Sequence, residues 1–331
     1  MGKTILLITS FILTGIAGFF LAKKLITQPQ FFEISKKEDQ EDRPLDIYSI
    51  EALKIAEIPN SKFTLIEQSE NLFELEFSPS LDPDIKKKTT GVIHIPKGTG
   101  PFPIVIMIRG YVDQEIYTSG VGTDSAAKYF AQGNFITISP DFLGYGGSDP
   151  ESGNVFETRF QTYTTILSLL QSIKEPSFAQ VLGDKWDQKN IFIWAHSNGG
   201  HIALTTLIIT GTDYPTTLWA PVTKPFPYNV LYYTDEAYDG GKLIRKELAR
   251  FEDVYETDKF SFTNYLGDIK APIQLHQGAA DDAVPVEWNR KFVADKSDIK
   301  YFEYPNTDHN LKPNWNLAMS RDLIFFRELT K

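Results

Sequence analysis

The sequence predicts an α/β fold, a mostly parallel central sheet flanked by helices, and three observations carry that prediction. From about residue 60 onward, strand-like and helix-like segments alternate, the pattern of a parallel sheet covered on both faces. Pro103-Ile104-Val105-Ile106-Met107-Ile108 is an unbroken apolar run, as in a strand buried on both sides. Ile191-Phe192-Ile193-Trp194 leads through Ala195-His196-Ser197-Asn198-Gly199 into Gly200-His201-Ile202-Ala203-Leu204, which reads as strand, sharp turn and helix.

The elements follow in order. Phe63 to Phe77 alternates apolar and polar residues, as a half-buried strand does. Thr90 to Pro96 forms the second strand, and the two are expected to pair as an antiparallel hairpin at the sheet edge. After the buried run at 103–108 come strands at Phe135–Ser139, Ile191–Trp194, Ile273–His276 and Ile299–Tyr304. Helices are expected over Ser125–Gln132, Phe160–Ile173, Asn198–Thr210 and Asn316–Thr330. The segment Pro221–Tyr265 breaks this rhythm. It is rich in aromatic residues and charges, and a connection of that length is usually functional or has structure of its own. It lies where a lid over a site would be inserted.

The N-terminus stands apart. Thr4 to Ala22 is uncharged and flanked by Lys3 and Lys23-Lys24, long enough to cross a hydrocarbon core of roughly 30 Å as a helix. Residues 1–25 are expected to be a transmembrane anchor, or a signal segment cleaved near Gly15-Ile16-Ala17. The remaining chain would then be extracytoplasmic, although the lysines on the C-terminal flank favour the cytoplasmic side. Residues 26–45, with the charged stretch Lys36 to Arg43, read as a linker. Residues 46–331 read as one domain with the lid-like insertion at 221–265.

Composition narrows the partners. The 331 residues carry a net charge of −10 and are 42% hydrophobic. That balance fits a globular protein and argues against nucleic acid, which needs clustered Lys and Arg. With no cysteine, disulfides and thiol chemistry are excluded. No paired His and carboxylate spacing argues for a metal, and no cofactor is expected. The expected partner is a small molecule or short peptide.

Ser197 sits where a strained turn would push its Oγ into a site at the top of the sheet. Alanine at 195 replaces the glycine usual in such a turn, and a small residue meets the same steric demand. A serine capping an ordinary helix N-terminus is the plainer alternative. A serine hydroxyl needs a base, and the base needs a group to hold its tautomer. In folds with this turn the chain order is Ser, then Asp or Glu, then His. The chain supplies it. Asp281-Asp282 follow the strand at 273–276, and His309 follows the last strand. Of the five histidines, His94, His196, His201 and His276 are expected to be structural.

Over residues 60 to 331 the chain resembles an α/β-hydrolase of the prolyl-oligopeptidase-like and dienelactone-hydrolase-like group. The supporting pieces are Arg109-Gly110-Tyr111, Ser139 to Ser148, the Ser197 turn, the Asp281 turn with Val284-Pro285, and His309. The resemblance implies Ser197 as nucleophile, His309 as general base and acid, and Asp281 as its orienter, with Asp282 the fallback. It implies an oxyanion hole from the backbone N–H groups of Tyr111 and Asn198. Where the family has a histidine before Gly-Tyr or Gly-Gly, this chain has Arg109, expected either to support the loop or to bind a substrate carboxylate.

The function expected is a serine hydrolase working through an acyl-enzyme at Ser197, of serine peptidase type, with a carboxylesterase of short acyl esters as the alternative. Only about 60 residues of the domain precede Pro103, too few for a propeller of four four-stranded blades, so a large peptide-filtering domain is excluded. The rival of another class is a membrane-anchored binding protein that keeps the fold without turnover.

Overall fold

The computed structural model describes residues 42–66 and 71–331. Its elements run α1 (Ile50–Ile55), β1 (Lys62–Leu65), β2 (Leu72–Phe77), β3 (Lys87–His94), β4 (Phe102–Ile108), α2 (Asp124–Gln132), β5 (Ile136–Pro140), α3 (Val155–Lys174), α4 (Pro176–Leu182), β6 (Trp186–His196), α5 (Asn198–Thr210), β7 (Thr216–Trp219), α6 (Tyr228–Tyr232), α7 (Lys242–Val254), β8 (Ile273–Gly278), α8 (Val286–Asp295), β9 (Lys300–Tyr304) and α9 (Trp315–Leu329). The strands form one sheet in the order β1-β2-β3-β5-β4-β6-β7-β8-β9. The pairs β1–β2, β2–β3 and β3–β5 are antiparallel, and from β5 to β9 every pair is parallel.

Alternation along the central strands divides the core in two, because successive side chains leave a strand on opposite faces. Ile104, Ile106 and Ile108 of β4 and Ile191, Ile193 and Ala195 of β6 pack into one cluster. Val105 and Met107, with Phe192 and Trp194, pack into the other. Residues of α1, α3, α4, α5 and α8 cover the first face, and residues of α2 and α9 cover the second. An unbroken apolar run is therefore what a strand in this position requires.

Two strand expectations change. The single strand expected over Phe63–Phe77 is two, β1 and β2, paired antiparallel with Phe63 opposite Leu75. The period-2 pattern continues on both sides of the reversal, so periodicity alone passes over it. β7, unanticipated, lies between β6 and β8 in the interior of the sheet. Its four residues, Thr-Thr-Leu-Trp, are too few to establish a period.

The compact unit starts at Arg43, where a linker to residue 45 was anticipated. Leu45 and Tyr48 are buried in the core, and the Leu45 N–H donates to Tyr255 Oη at 3.1 Å. A charged approach does not prevent the first apolar residues from docking. The expected anchor at Thr4–Ala22 and residues 26–41 of the expected linker lie outside the described residues. Among the described residues, no helix is long and apolar enough to cross a membrane.

The 221–265 segment is seated on the core through its aromatic residues. Phe226, Phe251, Phe260 and Phe262 are buried. Phe260 stacks on Phe160 of α3 at 4.9 Å between ring centroids, and Phe251 lies 4.9 Å from Phe156. The aromatics that marked the segment in sequence thus hold it against α3. Phe160 is the shared contact, also meeting Phe226 and Phe251. Phe160→Ala is expected to destabilise the fold by about 3–5 kcal/mol, measured as a lowered urea midpoint at unchanged slope.

Candidate active site

β6 ends at His196 and α5 begins at Asn198, leaving Ser197 alone to make the turn, with φ 55° and ψ −123°. A non-glycine residue in this conformation stores strain of about 1–3 kcal/mol that its surroundings must hold. They do so on both sides. The Ser197 N–H donates to the Trp219 carbonyl at 2.9 Å, and the Ser197 carbonyl accepts from Gly200 and Val222, each at 3.0 Å. The turn fits because its neighbours lack side chains. A Cβ on Gly110 would stand 2.8 Å from Ser197 Cβ, and one on Gly199 would overlap the Ile108 and Arg109 carbonyls. Ala195 is fully buried, so a methyl group is accommodated there.

Asp281 and His309 meet above the ends of β8 and β9. His309 Nδ1 lies 2.9 Å from Asp281 Oδ2. The acceptor-only carboxylate fixes the proton on Nδ1 and leaves Nε2 as the basic nitrogen. Asp281 Oδ2 also accepts from Gln277 Nε2 at 3.0 Å, and Oδ1 accepts the N–H groups of Ala283 and Val284 at 2.9 and 2.8 Å. Burial, the largest influence, opposes ionisation. The His309 hydrogen bond and charge and the two backbone donors outweigh it, holding the carboxyl below its ordinary range. Gly278 lets the two loops close, since a Cβ there would overlap the Thr307 and Asp308 carbonyls. Asp282 does not share in this bonding; the carboxylate beside His309 is that of Asp281.

His196, expected to be structural, touches this loop. Its Nε2 lies 3.0 Å from the His309 carbonyl, and the two rings are 4.6 Å apart. The carbonyl only accepts, so His196 donates from Nε2. Desolvation, and after it the His309 charge, pushes the His196 pKa down to about 4. The ring is therefore neutral at pH 7, as a single-donor tautomer requires. No local motif signals this contact, which joins residues far apart in the chain.

Tyr111 follows Gly110 and its side chain is largely exposed, while Asn198 is the first residue of α5. The N–H groups of a first helical turn have no partner within the helix. Arg109, by contrast, is buried. Its guanidinium donates to the Gly110 and Asp141 carbonyls at 2.9 and 2.7 Å, and stands 4.0 Å from the ring centroid of Tyr145 and 4.6 Å from that of Tyr117. Of its two expected roles, these contacts are those of a loop support; a substrate carboxylate would have to displace them. Asp141 completes the support, accepting from Thr90, Tyr117 and Ser119 at 2.7, 2.6 and 2.6 Å. The 139–148 run thus anchors the loop beside Ser197.

A cavity of about 480 Å³ opens beside the turn, with Gly110, Tyr111 and Asn198 in its wall. The α3 face bearing Thr158, Arg159, Thr162 and Thr165 forms another wall. Their spacing places them on one side of a helix, a polar stripe that the apolar pattern of the same helix obscured. No residue of 221–265 lines this cavity. A second cavity, of about 750 Å³, is bounded by Tyr238, Leu243 and Ile244 of that segment and shares Gly153 and Val155 with the first. Among the described residues, no group of three His, Cys, Asp or Glu side chains could hold a metal ion.

No family model and no curated protein sequence matches the chain. Solved structures do. Est1E from Butyrivibrio proteoclasticus, also solved with ferulic acid bound, is 18% identical with a TM-score of 0.51, over 75% of this chain and 95% of its own. The α/β hydrolase GrgF from Penicillium sp. sh18 is 16% identical with a TM-score of 0.53, over 78% of this chain and 98% of its own. A puromycin-hydrolyzing peptidase from Mycobacterium tuberculosis is 16% identical with a TM-score of 0.51, over 73% of this chain and 38% of its own. What is shared is the fold: the chain has the α/β-hydrolase fold.

Two predictions follow from the geometry. The unfolded chain takes up a proton on His196 near 6.5, the folded chain only near 4. Unfolding is therefore favoured as the pH falls between these values, and the fold loses stability across that window. His196→Gln keeps a donor without titrating there, and should flatten the decline of the urea midpoint between pH 7 and 4.5. Gly278→Ala should force the Asp281 and His309 loops apart, leaving a folded protein whose circular dichroism is native but whose Ser197 reacts more slowly with a fluorophosphonate.

Proposed function

We propose that this α/β-hydrolase-fold chain is a serine hydrolase that forms an acyl-enzyme at Ser197 and releases it with water, acting on esters of small carboxylic acids. The observation that carries the reading is the 2.9 Å contact of His309 Nδ1 with the buried Asp281 carboxylate, in a chain whose Ser197 is held in a strained turn between β6 and α5. In this reading Nε2 of His309 takes the Ser197 proton as Oγ attacks the carbonyl carbon, then gives it to the leaving alcohol. Asp281 holds the tautomer and offsets the positive charge that develops on the ring.

The developing oxyanion is met by the backbone N–H groups of Tyr111 and Asn198. One such donor contributes roughly 3–4 kcal/mol to the transition state. Water, activated by His309 in the reverse sense, then attacks the acyl carbonyl, and the acid leaves as Ser197 recovers its proton. The likeness in fold to an esterase and to a puromycin-hydrolyzing peptidase keeps amide bonds as the second substrate class. The cavity volume of about 480 Å³ is within the size range of small-molecule sites and supports a small substrate of either class.

A fluorophosphonate probe is expected to label the full chain and to fail on Ser197→Ala; a folded wild type that is not labelled would instead favour a ligand-binding protein of this fold. Asp281→Asn should lower kcat about 10³- to 10⁴-fold, because the amide no longer holds the required tautomer. Steady-state hydrolysis of p-nitrophenyl butyrate measures it.

A further inference from the structure

We propose, building on the hydrolase reading, that the cavity beside Ser197 takes an acyl group ending in a carboxylate, with Arg159 as its counter-ion. Four charged side chains line the cavity: Arg109, Arg159, Asp113 and Glu151. Arg109 is committed to two backbone carbonyls and to aromatic faces. Arg159 is different. Its guanidinium meets no carboxylate and no backbone carbonyl among the described residues; its Nε, like that of Arg109, is buried without an acceptor, and Tyr163 is its side-chain neighbour. Its nearest acidic neighbour in sequence, Glu157, is occupied by Tyr48 and Ser152 at 3.1 and 2.5 Å.

The surroundings are built for a polar group. Gln161 Oε1, on the same helix as Arg159 and in the same cavity wall, is also buried without a hydrogen-bond partner. Thr158, Thr162 and Thr165 bring hydroxyl groups to the same wall. His201, fully buried, is held well below its ordinary range by burial and then by the Arg159 charge. The Arg159 charge is thus felt at the buried His201 ring, and Arg159 itself stands in the cavity wall. Arg159 is partly withdrawn from water, a desolvation cost that a paired anion offsets, and a guanidinium matches a carboxylate with two parallel hydrogen bonds. Asp113 and Glu151 are exposed, so solvent and salt screen them more than they screen Arg159.

The cavity is continuous with the reacting end, since Gly110, Tyr111 and Asn198 share its wall and Gly110 abuts Ser197. An acyl chain with its carbonyl oxygen on the Tyr111 and Asn198 N–H groups would extend its far end along α3 toward Arg159. The carboxylate sought at Arg109 from sequence would thus be bound by a second arginine, fifty residues further along the chain.

The test compares the mono-p-nitrophenyl ester of glutaric acid with p-nitrophenyl pentanoate, the same chain length without the charge, on the full-length protein. Wild type should have the higher kcat/KM on the glutarate ester. Arg159→Gln should lower that value roughly 10- to 100-fold, the range for a hydrogen bond to a charged group, and leave the pentanoate ester nearly unchanged. Arg159→Lys should recover part of the loss. Unchanged pentanoate hydrolysis also shows that the variants fold.

A wild type that prefers pentanoate, or an Arg159→Gln that loses both substrates equally while its melting temperature is native, overturns the proposal. Calorimetric titration of monomethyl glutarate into Ser197→Ala separates this from the hydrolase reading. Binding that vanishes in the Ser197→Ala/Arg159→Gln double variant supports the anion site even if neither ester is cleaved. Absence of binding overturns it even where a fluorophosphonate labels Ser197.

Discussion

The backbone conformation of Ser197 is the constraint around which the centre of the molecule is arranged. A serine at φ 55° is strained, and only close packing on both sides holds it there. That packing requires Gly110 and Gly199 against the ends of β4 and β6, because a Cβ at either would meet backbone or Ser197 itself. It also requires β7, whose Trp219 carbonyl accepts the Ser197 N–H. The functional groups gather beyond the C-terminal ends of parallel strands: residues 109–111 follow β4, Ser197 follows β6, Asp281 follows β8 and His309 follows β9.

Three buried carboxylates stiffen the ground around it. Asp141 is enclosed by the hydroxyls of Thr90, Tyr117 and Ser119. Asp281 is enclosed by His309, Gln277 and two backbone N–H groups. Asp322 is enclosed by Trp219, Gln274, His276 and Thr217, joining α9 to β7 and β8. Each is satisfied by several short hydrogen bonds, as burial of a charge demands. His276 with Asp322 is a second His–carboxylate pair, but both side chains are fully enclosed, so its work is to tie the sheet to its covering helix. The pair at Asp281 differs in that His309 retains access to solvent.

Against this background the segment 221–265 has a double character. Its Phe226, Phe251 and Phe260 continue the core under α3, whereas Tyr238 and Leu243 stand exposed beside the second cavity. The aromatic richness seen in sequence has a packing origin on one side and a cavity-lining origin on the other. Periodicity could not separate the two, since both use the same residue types.

The sequence by itself determined the alternating architecture, because strands buried on two faces must be apolar throughout and helices on one face must be periodic. It also determined the order Ser197, Asp281, His309, since each follows a strand whose pattern is strong. Tertiary structure alone decided the rest. β7 was hidden because four residues carry no period, and the β1–β2 reversal because apolar residues fall on odd-numbered positions both before it (63, 65) and after it (73, 75, 77). The bond from His196 to the His309 carbonyl joins residues more than a hundred apart, and a backbone acceptor leaves no mark in side-chain identity. The different surroundings of Arg109 and Arg159, one enclosed by carbonyls and rings and the other in a cavity wall with no carboxylate against it, depend on which surfaces the fold brings against them. That is a property of packing, to which a linear pattern of residues is blind.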